Sequence, residues 1–283
     1  MDSHVSQTIA VTHGRMYASL TGRLARYPIP RWPWNAPAGT AVLDLGCGWG
    51  RWTLAAAAAG CRAVGVDRSL PAVQAARRVA RELGRDQAAH FVCADLDHLP
   101  FRPAVFDQAI AYGVWQYLPH QGKSALREAV NAVRPQGTLR LQLPHRGGLR
   151  ARWFRLMARC GRPRETGVQY WTLAQMRQWS ALQPGPPATE NNLRLRAEGY
   201  FSTNAQWDDR DLLPRRYRCL VAASRLLCRC SRRWPALLAL ADAVWLEWTV
   251  PHVAAHPAPS PSTAPASAAK SCAPSAASSA PAG

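Results

Sequence analysis

The sequence lacks several features that would assign it to a class at once. Its eight cysteines form no CxxC pair, and Cys228-x-Cys230 has no histidine cluster beside it, so no metal site is predicted. No run approaches 18 uninterrupted apolar residues, which argues against a membrane-spanning helix. The N-terminus has no apolar stretch typical of a signal peptide. We therefore expect a cytoplasmic protein with free thiols.

Lysine is also scarce, because Lys123 and Lys270 are the only two, and arginine supplies the rest of a net charge of +18. The excess lies in residues 146–234, which hold 18 arginines and 6 acidic residues. Such a segment is typical of proteins that meet nucleic acid, an anionic membrane surface or an acidic substrate. An arginine bias together with many Ala and Pro also arises from a GC-rich coding sequence. Both interpretations stay open.

What the sequence does contain, from Thr40 onward, is an alternation of short apolar strands and helices. Strands separated by helices indicate βαβ units and a parallel sheet, which binds its ligands at the carboxyl ends of the strands. The pattern predicts strands at 41–45, 63–66, 90–93, 106–111 and 138–143, with the last strands within 193–203.

Four segments follow from this pattern. We expect a helical lead-in at 1–35 and a nucleotide-binding domain at 36–145. Residues 146–250 should complete the sheet and add a basic cap, with 212–248 helical because it is rich in Leu, Trp and Arg. Residues 251–283 consist almost entirely of Ala, Pro and Ser, and a disordered tail is predicted there.

The central motif is VLDLGCGWG at residues 42–50, a buried strand that runs into three glycines and then a helix. Glycines at such a turn let the backbone approach a ligand closely. The dinucleotide fingerprint G-x-G-x-x-G is not met, because Arg51 stands where its third glycine belongs, and no G-K-[ST] follows as in a phosphate loop. The loop therefore predicts a nucleoside ligand without a pyrophosphate.

This motif resembles the first motif of the class I S-adenosylmethionine-dependent methyltransferases, in particular the type 11 group that acts on small molecules. The resemblance covers about residues 36–145. It implies an α/β, Rossmann-like fold with a mostly parallel seven-stranded sheet flanked by helices, here with a helical C-terminal cap. It implies S-adenosylmethionine as cofactor, with the loop of Gly46, Cys47, Gly48 and Gly50 beneath its methionine part and Asp44 near its ammonium group.

Two further acids follow neighbouring strands of the predicted sheet. Asp67 ends the second strand, 21 residues beyond Gly46, where an acid can accept hydrogen bonds from both ribose hydroxyls. Asp95 and Leu96 match the places that meet adenine in the family, with Asp97 as the rival for the acid. Arg68 and Tyr112 are expected to line the cofactor.

The residues for catalysis and for the methyl acceptor are less well marked. The family often has histidine after strand four, whereas Gln116 and Tyr117 stand there in this chain, either to position the acceptor or to pack under a cap. His145 follows strand five and is a candidate base, with a polar loop residue as the alternative. Tyr17, Arg146, Tyr170 and Trp171 are candidate acceptor contacts, with Tyr170 and Trp171 either an aromatic wall or part of the core.

The acceptor class is narrowed by missing motifs. The N/D-P-P-Y/F/W motif of amino-methylating DNA enzymes, the Pro-Cys pair of cytosine-C5 enzymes and the double-Glu loop of protein arginine methyltransferases are all absent. A small-molecule, sugar or lipid-linked acceptor is therefore expected, with nucleic acid a less favoured partner. An RNA methyltransferase and a non-catalytic cofactor-binding protein remain the alternatives.

The cap segment at 212–248 has a separate feature. Its Leu, Trp and Arg residues resemble those of an amphipathic helix that contacts an anionic membrane, with a helix docked on the domain as the alternative.

Overall fold

A computed structural model describes residues 5, 6, 8, 9, 24, 26–118, 122–160, 168–179, 192–201 and 206–251. Residues 1–252 form one compact unit. Of the predicted tail at 251–283, all residues after Pro251 lie outside the described residues, and so does Tyr17. In the part of the chain that the structure describes, no helix is long and apolar enough to cross a membrane.

A seven-stranded sheet organises the unit. Its strands are β1 (Ala41–Leu45), β2 (Arg62–Asp67), β3 (Ala89–Cys93), β4 (Phe106–Ala111), β5 (Val133–Pro144), β6 (Leu193–Gly199) and β7 (Ala243–Thr249). They lie in the order β3-β2-β1-β4-β5-β7-β6. All neighbours are parallel except β7, which is antiparallel to both β5 and β6. The predicted Rossmann-like, mostly parallel seven-stranded sheet is confirmed.

Helices flank this sheet on both sides. They are α1 (Arg51–Ala58), α2 (Leu70–Glu82), α3 (Gly122–Ala132), α4 (Leu149–Arg159), α5 (Leu173–Gln178) and α6 (Arg215–Arg233). One apolar layer joins α1 and α2 to β1, β2 and β3. Another joins α3 to β4, β5 and β7. The two cores follow from period-2 alternation in the strands, which sends successive side chains to opposite faces.

The residues at the starts of two helices account for where those helices begin. At α2, Ser69 is the N-cap and its Oγ accepts a bond from the Ala72 backbone N–H at 3.4 Å, while Pro71 fits the first turn. At α5, Thr172 and Gln175 form a reciprocal capping box. Each cap fixes where the chain turns from the carboxyl edge of the sheet into a helix.

One sequence prediction about the cap is wrong. Residues 212–248 are not helical throughout, because α6 ends at Arg233 and residues 243–249 form strand β7 inside the sheet. Val244, Leu246 and Trp248 lie in the core on one face of the sheet and alternate with Trp245 and Glu247 on the other face, where Trp245 is also buried. Nearly every position there is apolar or aromatic, and this masks the alternation.

Candidate active site

The glycine loop connects β1 to α1 at the carboxyl edge of the sheet. The amides of Gly46 and Cys47 both donate to the Val66 carbonyl, at 2.7 and 2.9 Å, so the loop lies against the end of β2. Gly46 has a φ of 70°, and a Cβ there would come within 2.4 Å of Val114 Cγ2. A larger residue at this position would push the loop away from the end of β4. Glycine at position 46 is therefore required by packing as well as by backbone conformation.

Gly48 differs from Gly46 in its surroundings. Its φ is 53°, and an added Cβ would meet nothing within 4 Å. Its amide donates to Asp67 Oδ2 at 2.9 Å. The open space over this backbone, next to a carboxylate, is a cradle that a side chain would fill.

Asp67 joins the loop to the next helix. Oδ2 accepts from the Gly48 amide, and Oδ1 accepts from the Ser69 amide at 2.8 Å. A carboxylate offers about four acceptor positions, so two remain for further donors such as ribose hydroxyls. The residue therefore lies where the sequence placed it, at the end of β2 and against the glycine loop.

Asp44 is 2% exposed, and its Oδ2 accepts from the amide and the hydroxyl of Thr53, at 2.9 and 2.7 Å. Burial raises the pKa of Asp44 to about 7. A positive charge beside a buried carboxyl favours its ionised form. The carboxyl therefore fits the ammonium group of S-adenosylmethionine. The two free acceptor positions of Asp67 fit its ribose hydroxyls, and the open space over Gly48 leaves room for its methionine part.

Cys47 takes part through its backbone. The side chain is buried and lies against β2, where a Cβ on Gly65 would come within 2.8 Å of Cys47 Sγ. Burial raises the pKa of this thiol, which keeps it protonated and unreactive.

The adenine-binding candidates follow β3. Asp95 is exposed, and its backbone carbonyl accepts from the His98 amide at 3.3 Å, which closes a turn around Leu96. Asp97, the rival acid, lies 3.2 Å from His98 Nδ1. Arg68 is also exposed, at the start of the loop after β2. These residues share the carboxyl edge with Asp67, and which acid meets adenine stays a prediction.

Gln116 and Tyr117 lie on a short 3-10 turn, Trp115–Tyr117, after β4. The Gln116 Oε1 atom is buried and has no hydrogen-bond partner among the described residues. An unpaired buried carbonyl costs free energy, so this atom suits a donor on a bound molecule. Tyr117 is 62% exposed and faces solvent.

His145, the candidate base, is buried and does not face solvent. Its ring is buried, with Nδ1 at 3.0 Å from the Ala241 carbonyl oxygen, and its backbone forms a bridge to Trp171. Burial lowers the pKa of His145.

Trp171 is buried beside Trp179, with ring centroids 5.3 Å apart, so it packs in the core rather than forming an open aromatic wall. Arg146 is exposed and Tyr170 is half-buried.

Tyr112 belongs to an aromatic cluster at the end of β4. Its ring lies 5.3 Å from that of Trp52 and 5.7 Å from that of Trp245. Its hydroxyl accepts from Gln206 Nε2 at 3.3 Å, and burial raises its pKa. The neutral ring therefore packs between α1 and β7, and its place beside the cofactor stays a prediction.

Two polar groups in this region were not predicted from the sequence. The first is the buried ion pair of Arg51 Nη2 with Asp209 Oδ2, in which the side chains are 5% and 0% exposed. Arg51 Nε also donates to the Pro28 carbonyl at 2.7 Å. Arg51 thus joins the start of α1 to the N-terminal segment and to the connection between β6 and β7. The one sequence signal for a special role of Arg51 was its position, where the dinucleotide fingerprint has its third glycine.

The second is Glu198, near the end of β6. Its carboxylate accepts from Gln206 Nε2 at 2.8 Å and from Trp245 Nε1. Burial raises its pKa to about 7. No local motif marks this residue, because the donors come from elements that the fold brings together.

Comparison with known proteins agrees with this geometry. Residues 42–137 match the family model of the methyltransferase domain. Malonyl-[acyl-carrier protein] O-methyltransferase of Salmonella typhimurium is 35% identical over 102 residues, which are 35% of this chain and 36% of that protein. The chain therefore aligns with only about a third of that relative's length.

Solved structures agree with the fold. A chain of the complex between the Haloferax volcanii Trm112 methyltransferase activator and a methyltransferase matches with a TM-score of 0.51 and 16% identity, over 90% of this chain and 96% of that one. Haemonchus contortus phosphoethanolamine N-methyltransferase 2, solved with S-adenosyl-L-methionine, matches with a TM-score of 0.52 and 15% identity, over 77% and 50% of the two chains. Residues 42–137 are therefore similar to the methyltransferase domain, and S-adenosylmethionine is the cofactor that this similarity supports.

The cradle over Gly48 leads to a prediction with a matched control. Gly48→Ala and Gly39→Ala each place a Cβ at positive φ in open space, so each should lower the free energy of unfolding by about 1–2 kcal/mol. Only Gly48→Ala should weaken S-adenosylhomocysteine binding, by roughly tenfold or more, because its methyl group fills the cradle. Calorimetric titration measures the affinities. Equal affinities in the two variants would place the cofactor elsewhere.

The raised pKa of Glu198 predicts a pH-dependent stability. A folded-state pKa of about 7 lies above the ordinary glutamate value of 4.5, so this group's stabilising contribution is present below pH 4.5 and is lost as the pH rises through 7. Glu198→Gln removes that loss. Its free energy of unfolding relative to the unmodified protein should rise between pH 4.5 and 7 and stay level above. A pH-independent difference in urea denaturation would contradict a buried titrating carboxyl.

Proposed function

We propose that this protein is an S-adenosylmethionine-dependent methyltransferase that acts on a small-molecule, sugar or lipid-linked acceptor. The observation that carries the proposal is the hydrogen bond from the Gly48 amide to Asp67. It ties an open glycine loop to the acid of the neighbouring strand at the carboxyl edge of the sheet, where such sheets bind nucleosides.

The cofactor-binding residues are assigned as follows. Asp44 faces the ammonium group, the backbone of Gly46, Cys47, Gly48 and Gly50 supports the methionine part, and Asp67 accepts from the ribose. Asp95 and Leu96 meet adenine, with Arg68 and Tyr112 at the sides. When bound, S-adenosylmethionine supplies an electrophilic methyl group on a sulfonium, which is a good leaving group.

The protein's own task is then to align the acceptor and to exclude water. Orientation alone can contribute about 7–11 kcal/mol to lowering the barrier. The buried Gln116 Oε1 suits an N–H or O–H of the acceptor, and the exposed Tyr117 lies at the rim. A base is needed only when the acceptor must lose a proton to react. His145 stays a candidate for that role, although its ring is buried and its Nδ1 lies against a backbone carbonyl.

Two observations support the proposed acceptor class and a cytoplasmic location. The curated relative acts on malonyl-[acyl-carrier protein], which agrees with an acceptor outside nucleic acids. The seven cysteines in the described ranges are free thiols, which supports a cytoplasmic location.

The experiment that tests the function is transfer of label from methyl-radiolabelled S-adenosylmethionine into a cell extract. The extract is then separated into lipid, small-molecule, RNA and protein fractions, with the Asp67→Ala variant as control. Label in the lipid or small-molecule fraction that disappears in the variant supports the proposal. Label in RNA would replace it with an RNA methyltransferase. Cofactor binding without label in any fraction would favour a non-catalytic protein.

A further inference from the structure

Helix α4 leaves large apolar side chains in solvent. Trp153 is 58% exposed, Leu156 49% and Phe154 37%, and Ala151 is the one buried residue of the helix. Large apolar groups gathered on an outer face mark a contact surface rather than ordinary exposure. We call these three side chains, with the arginines of the same helix, the α4 surface: Arg150, Arg152, Trp153, Phe154, Arg155, Leu156 and Arg159.

The α4 surface is also strongly positive. Four of the eleven residues of α4 are arginines, and none is acidic. At 3.6 residues per turn, Trp153, Leu156 and Met157 fall on one side of the helix, whereas Phe154 lies about 100° round from Trp153 and about 160° from Leu156. Arg152, Arg155 and Arg159 fall on the side next to it. An apolar face bordered by arginines is the arrangement of helices that lie in the interface of a membrane.

The helix is fixed where it begins. The Gly148 amide donates to the His145 carbonyl at 3.1 Å, and the Arg150 amide donates to Asp242 Oδ1. A Cβ on Gly148 would come within 2.5 Å of the Ala241 carbonyl oxygen. The start of α4 therefore packs directly on the backbone that leads into β7.

Several arginines of the surface are already oriented. Arg152 Nε donates to the Gly147 carbonyl at 2.7 Å, and Arg155 Nη1 donates to the Arg146 carbonyl at 2.9 Å. The Arg150 guanidinium lies over the Phe154 ring, 5.6 Å from its centroid. These contacts hold the charges beside the apolar groups, so little side-chain freedom is lost on binding a negative surface.

We propose that the α4 surface binds an anionic lipid bilayer. Trp153 and Leu156 enter the boundary of headgroups and acyl chains, and the arginines contact the lipid phosphates. The sequence had placed such a contact at 212–248. There, Val221 and Ser224 of α6 pack against the rest of the molecule, and Arg225 stacks on Trp207 at 4.4 Å. That segment also exposes Leu226 and Trp234, whose contribution the control variant below measures.

The position of α4 relates this inference to the proposed function. The helix begins shortly after β5 ends at Pro144, and therefore at the carboxyl edge that also holds the glycine loop. The relation to a lipid-linked acceptor rests on the proposed function, whereas binding to a bilayer does not. The two are therefore tested by separate measurements.

Vesicle co-sedimentation of the full chain tests the proposal. Vesicles of phosphatidylcholine with phosphatidylglycerol should bind the protein, pure phosphatidylcholine vesicles should bind it at least about tenfold more weakly, and added salt should release it. The variant with Trp153→Ala and Leu156→Ala should lose roughly tenfold in partitioning, because it loses the apolar contact. These side chains are exposed, so the fold should be retained, and circular dichroism checks this.

The matched control lies on the other predicted surface. The variant with Leu226→Ala and Trp234→Ala removes exposed apolar groups, 61% and 60% exposed, from the 212–248 segment. It should bind vesicles as the unmodified chain does. Loss in this control but not in the α4 variant, equal binding to both lipid compositions, no binding at all, or binding to an RNA oligonucleotide in place of vesicles would each overturn the proposal. Affinity for S-adenosylhomocysteine, measured on the same samples, reports on the proposed function independently.

Discussion

Asp67→Ala should lower the affinity for S-adenosylhomocysteine by about 100-fold or more. The change removes a carboxylate that can accept two hydrogen bonds from the ribose, and hydrogen bonds to charged groups contribute about 1.5–3 kcal/mol each. It also removes the acceptor of the Gly48 and Ser69 amides, so the glycine loop loses its link to α2. Isothermal titration calorimetry measures the change directly.

Two neighbouring acids supply the controls for this prediction. Asp95→Ala and Asp97→Ala remove carboxyls after β3 that do not bond to the glycine loop. Asp95→Ala should lose roughly tenfold in affinity, since it removes the proposed partner of the adenine amino group, and Asp97→Ala should change little. An Asp67→Ala protein that binds within about threefold of the unmodified chain would contradict the assignment of the ribose site.

Asp209→Ala should lower the free energy of unfolding by about 3–5 kcal/mol, because it removes the carboxylate that is paired with the buried guanidinium of Arg51. Asp208→Ala is the matched control, one residue earlier in the chain. Asp208 pairs at 3.6 Å with Arg31, whose side chain is 91% exposed, so its loss should cost less than about 1 kcal/mol. Urea denaturation followed by circular dichroism compares the two variants.

The double variant Arg51→Met with Asp209→Leu tests whether the loss of stability comes from the uncompensated charge. Replacing both members of a buried pair with apolar groups removes the uncompensated charge, so much of the lost stability should return. If Asp208→Ala and Asp209→Ala destabilise equally, the Arg51–Asp209 pair does not hold the β6–β7 connection to α1.

Much of the first half of the fold could be predicted because its signals are local. The bounds of β1 and β4 match the predicted strands, since each is a short apolar run closed by a turn. The predicted extent of β5 was too short at its start, where Pro135 and Gly137 suggested a turn before the strand. The glycine loop and Asp67 could be located because a nucleoside site at this edge depends on one strand, one loop and the next strand.

The second half depends on contacts between distant residues. Strand β7 pairs Thr249 with Thr138, more than a hundred positions earlier, so its partner strand cannot be identified from neighbouring residues. The pairing of Arg51 with Asp209 spans 158 positions. Glu198 becomes a buried acid only because Gln206 and Trp245 surround it. None of these partners can be identified from spacing along the chain.

A crystal structure of the chain with S-adenosylhomocysteine tests the central claim most directly. We expect the ribose hydroxyls within hydrogen-bond distance of the Asp67 carboxylate and the amino group beside Asp44, with the homocysteine part over Gly48. A nucleoside bound away from the carboxyl edge of β1 and β2, or density absent there at saturating ligand, would contradict the account.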